Sequence, residues 1–398
     1  MATTAQDQGR VDALSRERCW FRNTRGGVRV VACFGYHPWF THRYTLAPPH
    51  ALPPKRDHYA SLFLPHSSPN DNHLGNLLDA LLPFLPDPAP LQPLLHTLRQ
   101  NLATHLEEGR LTMLGEVGLD ASARLRWPIE ARHVWEEMNS QANSQANSRE
   151  ANSQANSQAN SQEANSQADS REDDEWKRLT PFKVPIAHQR AVLEAQMEIA
   201  IELGVNISFH SVASAGPTMD VLRSMKTKHG PHFTHRVNVD LHSAGGWSPQ
   251  FWIQAQVYLS FPFATPLLTL SPLPQKSLPN LYASPSIPIT SRSPSAPSLI
   301  RAIARDRMLI ESDTHDATLN TRYLWAATEW VGRLKGWKVE GLHHNHNQHQ
   351  EEDEDWELES EEEEVYDRRG KPIDPAPHEI WTVRTLERNW ARFMRLLD

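Results

Sequence analysis

The chain has 398 residues, 39% of them hydrophobic, with a net charge of −8 and only two cysteines, Cys19 and Cys33. That supports a sizeable core and excludes a disulfide-stapled framework, a metal knuckle and a broad basic nucleic-acid surface. The acidity is local, because residues 351–364 hold 11 acids and no base and the remainder carries +3.

Residues 1–20 are polar and helical at best. Residues 28–34 are β-branched and apolar, which predicts a strand. It runs into Gly35-Tyr36-His37-Pro38-Trp39, a loop that carries a histidine. Residues 74–85 and 94–108 read as helices, the second closed by Gly109. Residues 111–115 predict a short buried strand. Gly115 and Gly118 then predict a tight turn at its end, around the lone carboxylate of Glu116. Residues 139–170 repeat Asn-Ser-Gln-Ala almost unchanged. A four-residue polar repeat has nothing to bury, so a disordered insertion is expected there, inside a domain whose flanks return to ordinary composition.

Residues 188–203 place Val192, Ala195, Ile199 and Leu203 on one helical face, and Gly204 ends the pattern. A strand over 205–209 delivers His210. A helix over 219–225 follows, then a strand over 237–241 that delivers His242. Another strand is predicted over 257–261. Residues 266–298, with eight prolines and many serines, read as an irregular insertion. A strand over 308–310 delivers Glu311-Ser312-Asp313. Residues 343–364 are a third low-complexity stretch, and 382–397 an amphipathic helix.

Six strands alternating with helices predict an α/β protein with parallel strands. No Gly-rich dinucleotide turn and no P-loop occurs. Four strands end in a side chain that can ligate a metal: Glu116, His210, His242 and Asp313, and a fifth ends near His37. Imidazole and carboxylate suit zinc, manganese and similar divalent ions. Their recurrence at the same strand end is the warrant, since strand C-termini converge in a barrel. His343, His344, His346 and His349, and likewise His229, His232 and His235, read as solvated surface. With no span-length apolar run and no signal-peptide pattern, a cytoplasmic or nuclear location is expected.

Taken in order, Gly35-Tyr36-His37-Pro38-Trp39, Gly115-Glu116-Val117-Gly118-Leu119-Asp120, Phe209-His210, Leu241-His242-Ser243-Ala244-Gly245, Glu311-Ser312-Asp313 and Asn389-Trp390-Ala391-Arg392-Phe393 carry a resemblance. The chain resembles the TatD family of metal-dependent hydrolases, and within it the fungal branch of Cut9-interacting, Scn1-like proteins. The resemblance implies one TIM-type (β/α)8 hydrolase barrel over residues 1–398, interrupted by the insertions 139–170, 266–298 and 343–364. It implies two divalent ions (zinc, manganese or magnesium), with Glu116 bridging them and His210 and His242 holding one. Asp313 would hold the other and handle the proton of the attacking water, and His37 would face the substrate phosphate. The implied activity is hydrolysis of DNA phosphodiesters, as a deoxyribonuclease or 3′–5′ exonuclease. The branch implies the alternative, a non-catalytic partner of a cell-cycle ubiquitin-ligase subunit, a Cut9-like component of the anaphase-promoting complex. The family's opening H-x-H strand has no counterpart here. The barrel is therefore expected without its first strand and part of the second, binding one ion well.

Overall fold

The computed structural model describes residues 1–17, 30–64, 72–138, 140, 179–243, 246–256, 278–340 and 379–397. The repeat tract (residue 140 apart), the 257–261 strand, the start of the 266–298 stretch, the 343–364 tract and Cys19 lie outside them. The chain divides into two compact units, Met1–Val237 and Asn238–Asp398. Among the described residues, no helix is long and apolar enough to cross a membrane.

The first unit is built on the strand Thr112–Asp120, buried along its length except for partial exposure at Glu116. Ala32–Phe34 pairs with it in parallel on one side, aligning Phe34 with Leu114. Asn206–Val212 pairs in parallel on the other, aligning Gly118 with His210 and Asp120 with Val212. The expected strand over 111–115 is thus too short, and the expected glycine turn is absent. The reason is close approach. A Cβ on Gly115 would lie 2.8 Å from that of Ser208, and one on Gly118 would overlap the His210 carbonyl oxygen. Both glycines let neighbouring backbone pass rather than let the chain reverse. The register slips between Leu114 and Val117, where Glu116 sits, a bulge that re-aims a side chain within a sheet.

Helix Ile186–Leu203 packs on this central strand. Gly204 ends it in the left-handed conformation (φ 69°) that glycine adopts without a side-chain clash. Helices Leu91–Glu107 and Ala215–His229 follow the expected periodicity, the latter longer at both ends than the apolar run 219–225 suggests. A separate cluster of Tyr59, Leu77, Leu78, Leu81, Leu125 and Phe182 includes side chains of the antiparallel pair Arg124–Arg126 and Leu179–Lys183.

In the second unit Val239–His242 pairs in parallel with Leu281–Ser284, aligning His242 with Ser284. Leu281–Ser284 is fully buried, so this part of 266–298 is core rather than irregular insertion. Its prolines at 279 and 285 flank the strand and remove no ladder hydrogen bond from it. The strand expected over 308–310 is reduced to one bridge, Ala283 to Met308, with Leu309 N–H donating to the Ala283 carbonyl at 2.9 Å. Trp247, Trp252, Leu299, Ile300 and Val331 fill the core, and helix Thr382–Phe393 closes the chain as expected. Alternating helices and parallel strands bear out the α/β class in both units.

Candidate metal centre

Three side chains of the first unit meet, and two of them, Glu116 and His210, lie within their strands rather than at the strand ends where they were expected. Among the described residues His37, Glu116 and His210 form a cluster whose donor atoms lie within 4.8 Å of one another. Glu116 Oε1 is 2.9 Å from His210 Nδ1 and 3.3 Å from His37 Nε2. The two rings stand edge to face, centroids 4.5 Å apart.

The arrangement follows from the pairing. His210 lies opposite Gly118, which has no side chain, so Glu116 and Asp120 flank it two residues to either side on the same face of the strand. The imidazole bridges them, with Nδ1 toward Glu116 and Nε2 3.2 Å from Asp120 Oδ2. Asp120 also accepts from Ser122 and from the indole N–H of Trp39. Burial alone works to raise the Asp120 carboxyl, but hydrogen bonds from His210, Ser122 and Trp39 outweigh it and hold it down at about 2.

Two buried glutamines on helix Ile186–Leu203 hold the backbone of this array. Gln189 accepts from Asp120 N–H at 2.8 Å and donates to its carbonyl at 2.9 Å. Two turns along, on the same face, Gln196 accepts from Tyr36 N–H at 2.7 Å and donates to the Tyr36 carbonyl at 3.2 Å. One helix thereby fixes both the strand end that carries Asp120 and the loop that carries His37.

Hydrogen bonding separates the two imidazoles. With Asp120 accepting, neutral His210 carries its proton on Nε2 and turns the Nδ1 lone pair toward the Glu116 carboxylate. Lone pair against carboxylate at 2.9 Å is repulsive unless a proton or a cation lies between them, and a carboxylate orienting a histidine this way is the usual support of a metal ligand. His37 Nδ1 instead accepts from the Trp39 backbone N–H at 3.2 Å. Its neutral ring keeps the proton on Nε2, as a donor toward Glu116. Glu116 and His210 therefore fit a divalent ion by geometry and by donor chemistry, and His37 is disposed to donate.

The second unit holds the remaining two expected residues. His242 ends its strand buried, and Asp313 is exposed with a left-handed backbone (φ 44°). Ser243, also left-handed (φ 45°), has its Oγ 2.7 Å from Glu311 Oε1, 2.9 Å from Asp313 Oδ2 and 2.6 Å from Ser286 Oγ. One hydroxyl proton cannot serve two carboxylates. Burial pushes the Glu311 carboxyl up to about 8, nearby His242 opposes this, and Asp240 and Asp313 add to it. A proton on Glu311 relieves the conflict, and a cation would do the same. Non-glycine residues held at positive φ concentrate at functional sites.

Sequence reasoning gave Asp120, Trp39 and Gln189 no role. The signal for Asp120 was present: in a strand, Glu116, Gly118 and Asp120 share one face.

Asp120 also sets an acid limit. Its folded carboxyl is depressed from 3.8 to about 2, so its contribution is full above pH ~4 and is lost as pH falls from there toward 2. A shift of that size corresponds to about 2 kcal/mol. In chelator, unfolding free energy of the wild type should fall over pH 4 to 2 more steeply than that of Asp120→Asn. Parallel curves would show that the carboxylate is not held this way.

The fold and site define an α/β protein with parallel strands and a carboxylate–imidazole cluster suited to a divalent ion. The chain is 22% identical over 369 residues to Cut9-interacting protein scn1 of Schizosaccharomyces pombe, covering 85% of this chain and 86% of that protein. This match is in line with the Scn1-like part of the resemblance that the motifs carried. The solved structure of YJJV, a TatD homologue of Escherichia coli, aligns over 84% of this chain and 76% of its own at 11% identity, with a TM-score of 0.33. No family model matches the chain.

Proposed function

We propose that the chain is a metal-dependent hydrolase of phosphodiester bonds, with DNA as substrate. One observation supports this most: His210 lies between two carboxylates, its Nδ1 2.9 Å from Glu116 Oε1 and its Nε2 3.2 Å from Asp120 Oδ2. Zinc, manganese or magnesium, when bound, polarises the phosphoryl oxygen and activates the attacking water. Glu116 and His210 would hold an ion in the first unit; the resemblance assigns His242 to that ion and Asp313 to a second one. Asp120 keeps the proton on His210 Nε2 and fixes the plane of the ring. His37 donates its Nε2–H to a non-bridging phosphate oxygen, where charge grows during displacement. Asp313 takes the proton of the attacking water, the role the resemblance gives it.

A second reading has its own support, since the relative scn1 is named for interaction with Cut9. In that reading the chain binds a Cut9-like subunit of the anaphase-promoting complex and catalyses nothing. The test is elemental analysis of the purified chain with a DNA-degradation assay before and after dialysis against chelator. The hydrolase reading expects degradation that stops on chelation and returns with manganese or zinc. A chain that binds a Cut9-like protein equally well with and without chelator, and never degrades DNA, would establish the second.

A further inference from the structure

Beside the cluster, and within the same unit, lies a cavity of about 320 Å³, at the lower end of the range for small-molecule sites. Its walls include Trp39 and Trp127, three arginines (Arg43, Arg124 and Arg126) and one acid, Glu130. Among the described residues none of these arginines is in an ion pair, whereas Arg16, Arg56, Arg99 and Arg190 all are. Arg43 Nε is buried with no hydrogen-bond partner among the described residues, a cost that a bound anion would remove. The Arg126 guanidinium lies 4.5 Å over the Trp39 ring, a stacked geometry that fixes its fork for phosphate. Trp127 packs partly against the Tyr59 and Leu78 cluster and offers the cavity an aromatic face.

Cationic forks beside flat aromatic faces match one kind of ligand, a heteroaromatic ring joined to a phosphate. We infer that this cavity binds a nucleoside phosphate, its base stacked on Trp127 and its phosphate taken by Arg126 with Arg124 and Arg43. The inference deepens the phosphodiesterase reading and rests on it for the identity of the nucleotide as part of the substrate. Trp39 links the two places: its ring carries Arg126 and its indole N–H donates to Asp120, the residue that orients His210. A nucleotide in the cavity would therefore sit against the wall of the cluster, as the unit flanking the bond to be cut.

The experiment is calorimetric titration of the full chain, in chelator, with thymidine 5′-monophosphate, deoxyribose 5-phosphate and the single strand (dT)6. The nucleotide should bind at least ~10-fold more tightly than the sugar phosphate, the worth of one base on an aromatic ring. Trp127→Ala should erase that preference, while Trp127→Phe, which keeps a π-face, should retain most of it. Arg126→Ala should weaken nucleotide and sugar phosphate alike by on the order of 10-fold and flatten the salt dependence. Tighter binding of (dT)6 assigns the cavity to one unit of a strand, and equal binding assigns it to a free nucleotide. Absent nucleotide binding, or binding indifferent to both Trp127→Ala and Arg126→Ala in variants with wild-type circular dichroism, overturns the inference even if the chain degrades DNA. Nucleotide binding with that dependence in a chain that never degrades DNA keeps the cavity and removes the hydrolase reading.

Discussion

Glu116→Gln is expected to abolish hydrolysis, lowering kcat/KM on the order of 10³-fold or more, above the 10–100-fold typical of a partner one step removed from an ion. The substitution keeps size and shape but removes the negative charge. Glu116 Oε1 is the atom that both His210 Nδ1 and His37 Nε2 face, at 2.9 and 3.3 Å. An amide there leaves His210 as the sole ligand supplied by its unit. Bound metal should fall with activity in elemental analysis. His37→Ala should cost less, on the order of 10²-fold, because it removes one donor to the developing anion and no ligand. Asp120→Asn should fall between wild type and Glu116→Gln and lower metal affinity, since it releases the ring of His210 without touching the ion. Equal, mild losses in Glu116→Gln and His37→Ala would refute a shared carboxylate at the centre of the site.

The sequence disclosed the strands near 28–34, 205–209 and 237–241 and the polar residues that follow each apolar run, because both are local features. His37, Glu116 and His210 were legible for that reason. Asp120 was not, because the expected strand stopped at Gly115 and so placed Asp120 beyond a turn. The two glycines have no preference that tells a turn from a close approach. Only the neighbouring strand, distant in sequence and present at Ser208 and His210, decides it. Gln189 and Gln196 were hidden for a different reason. They sit on the buried face of their helix, where an amphipathic reading expects apolar residues, and their use is to bracket backbone groups that no helix or strand satisfies. Leu281–Ser284 was masked by composition: four buried residues stand among prolines and serines whose number dominated the reading.

Gly118→Ala is expected to be the most destabilising single methyl addition in the first unit. The residue holds φ 154°, outside the range L side chains favour. An added Cβ would overlap the His210 carbonyl oxygen and lie 2.7 Å from both the carbonyl carbon and the nitrogen of that residue. These are backbone atoms of a paired strand and cannot rotate away, so the two strands must part at the Gly118–His210 pair. Parting them breaks the parallel ladder and pulls His210 off both carboxylates. The expected cost is at least about 3 kcal/mol, in the range of a strained backbone position combined with core overpacking. For a unit of this size that lowers Tm on the order of 10 °C. Gly9→Ala is the control. It lies in the helix Gln8–Glu17, nothing stands within 4 Å of its added Cβ, and alanine is the better helix former by up to about 1 kcal/mol. Its Tm should hold or rise slightly. The two substitutions add the same methyl group, so the difference between their melting curves measures how closely the Glu116 strand and the His210 strand must approach for the cluster to form. A Gly118→Ala chain that melts with the wild type and still binds metal would show that the close approach is not required.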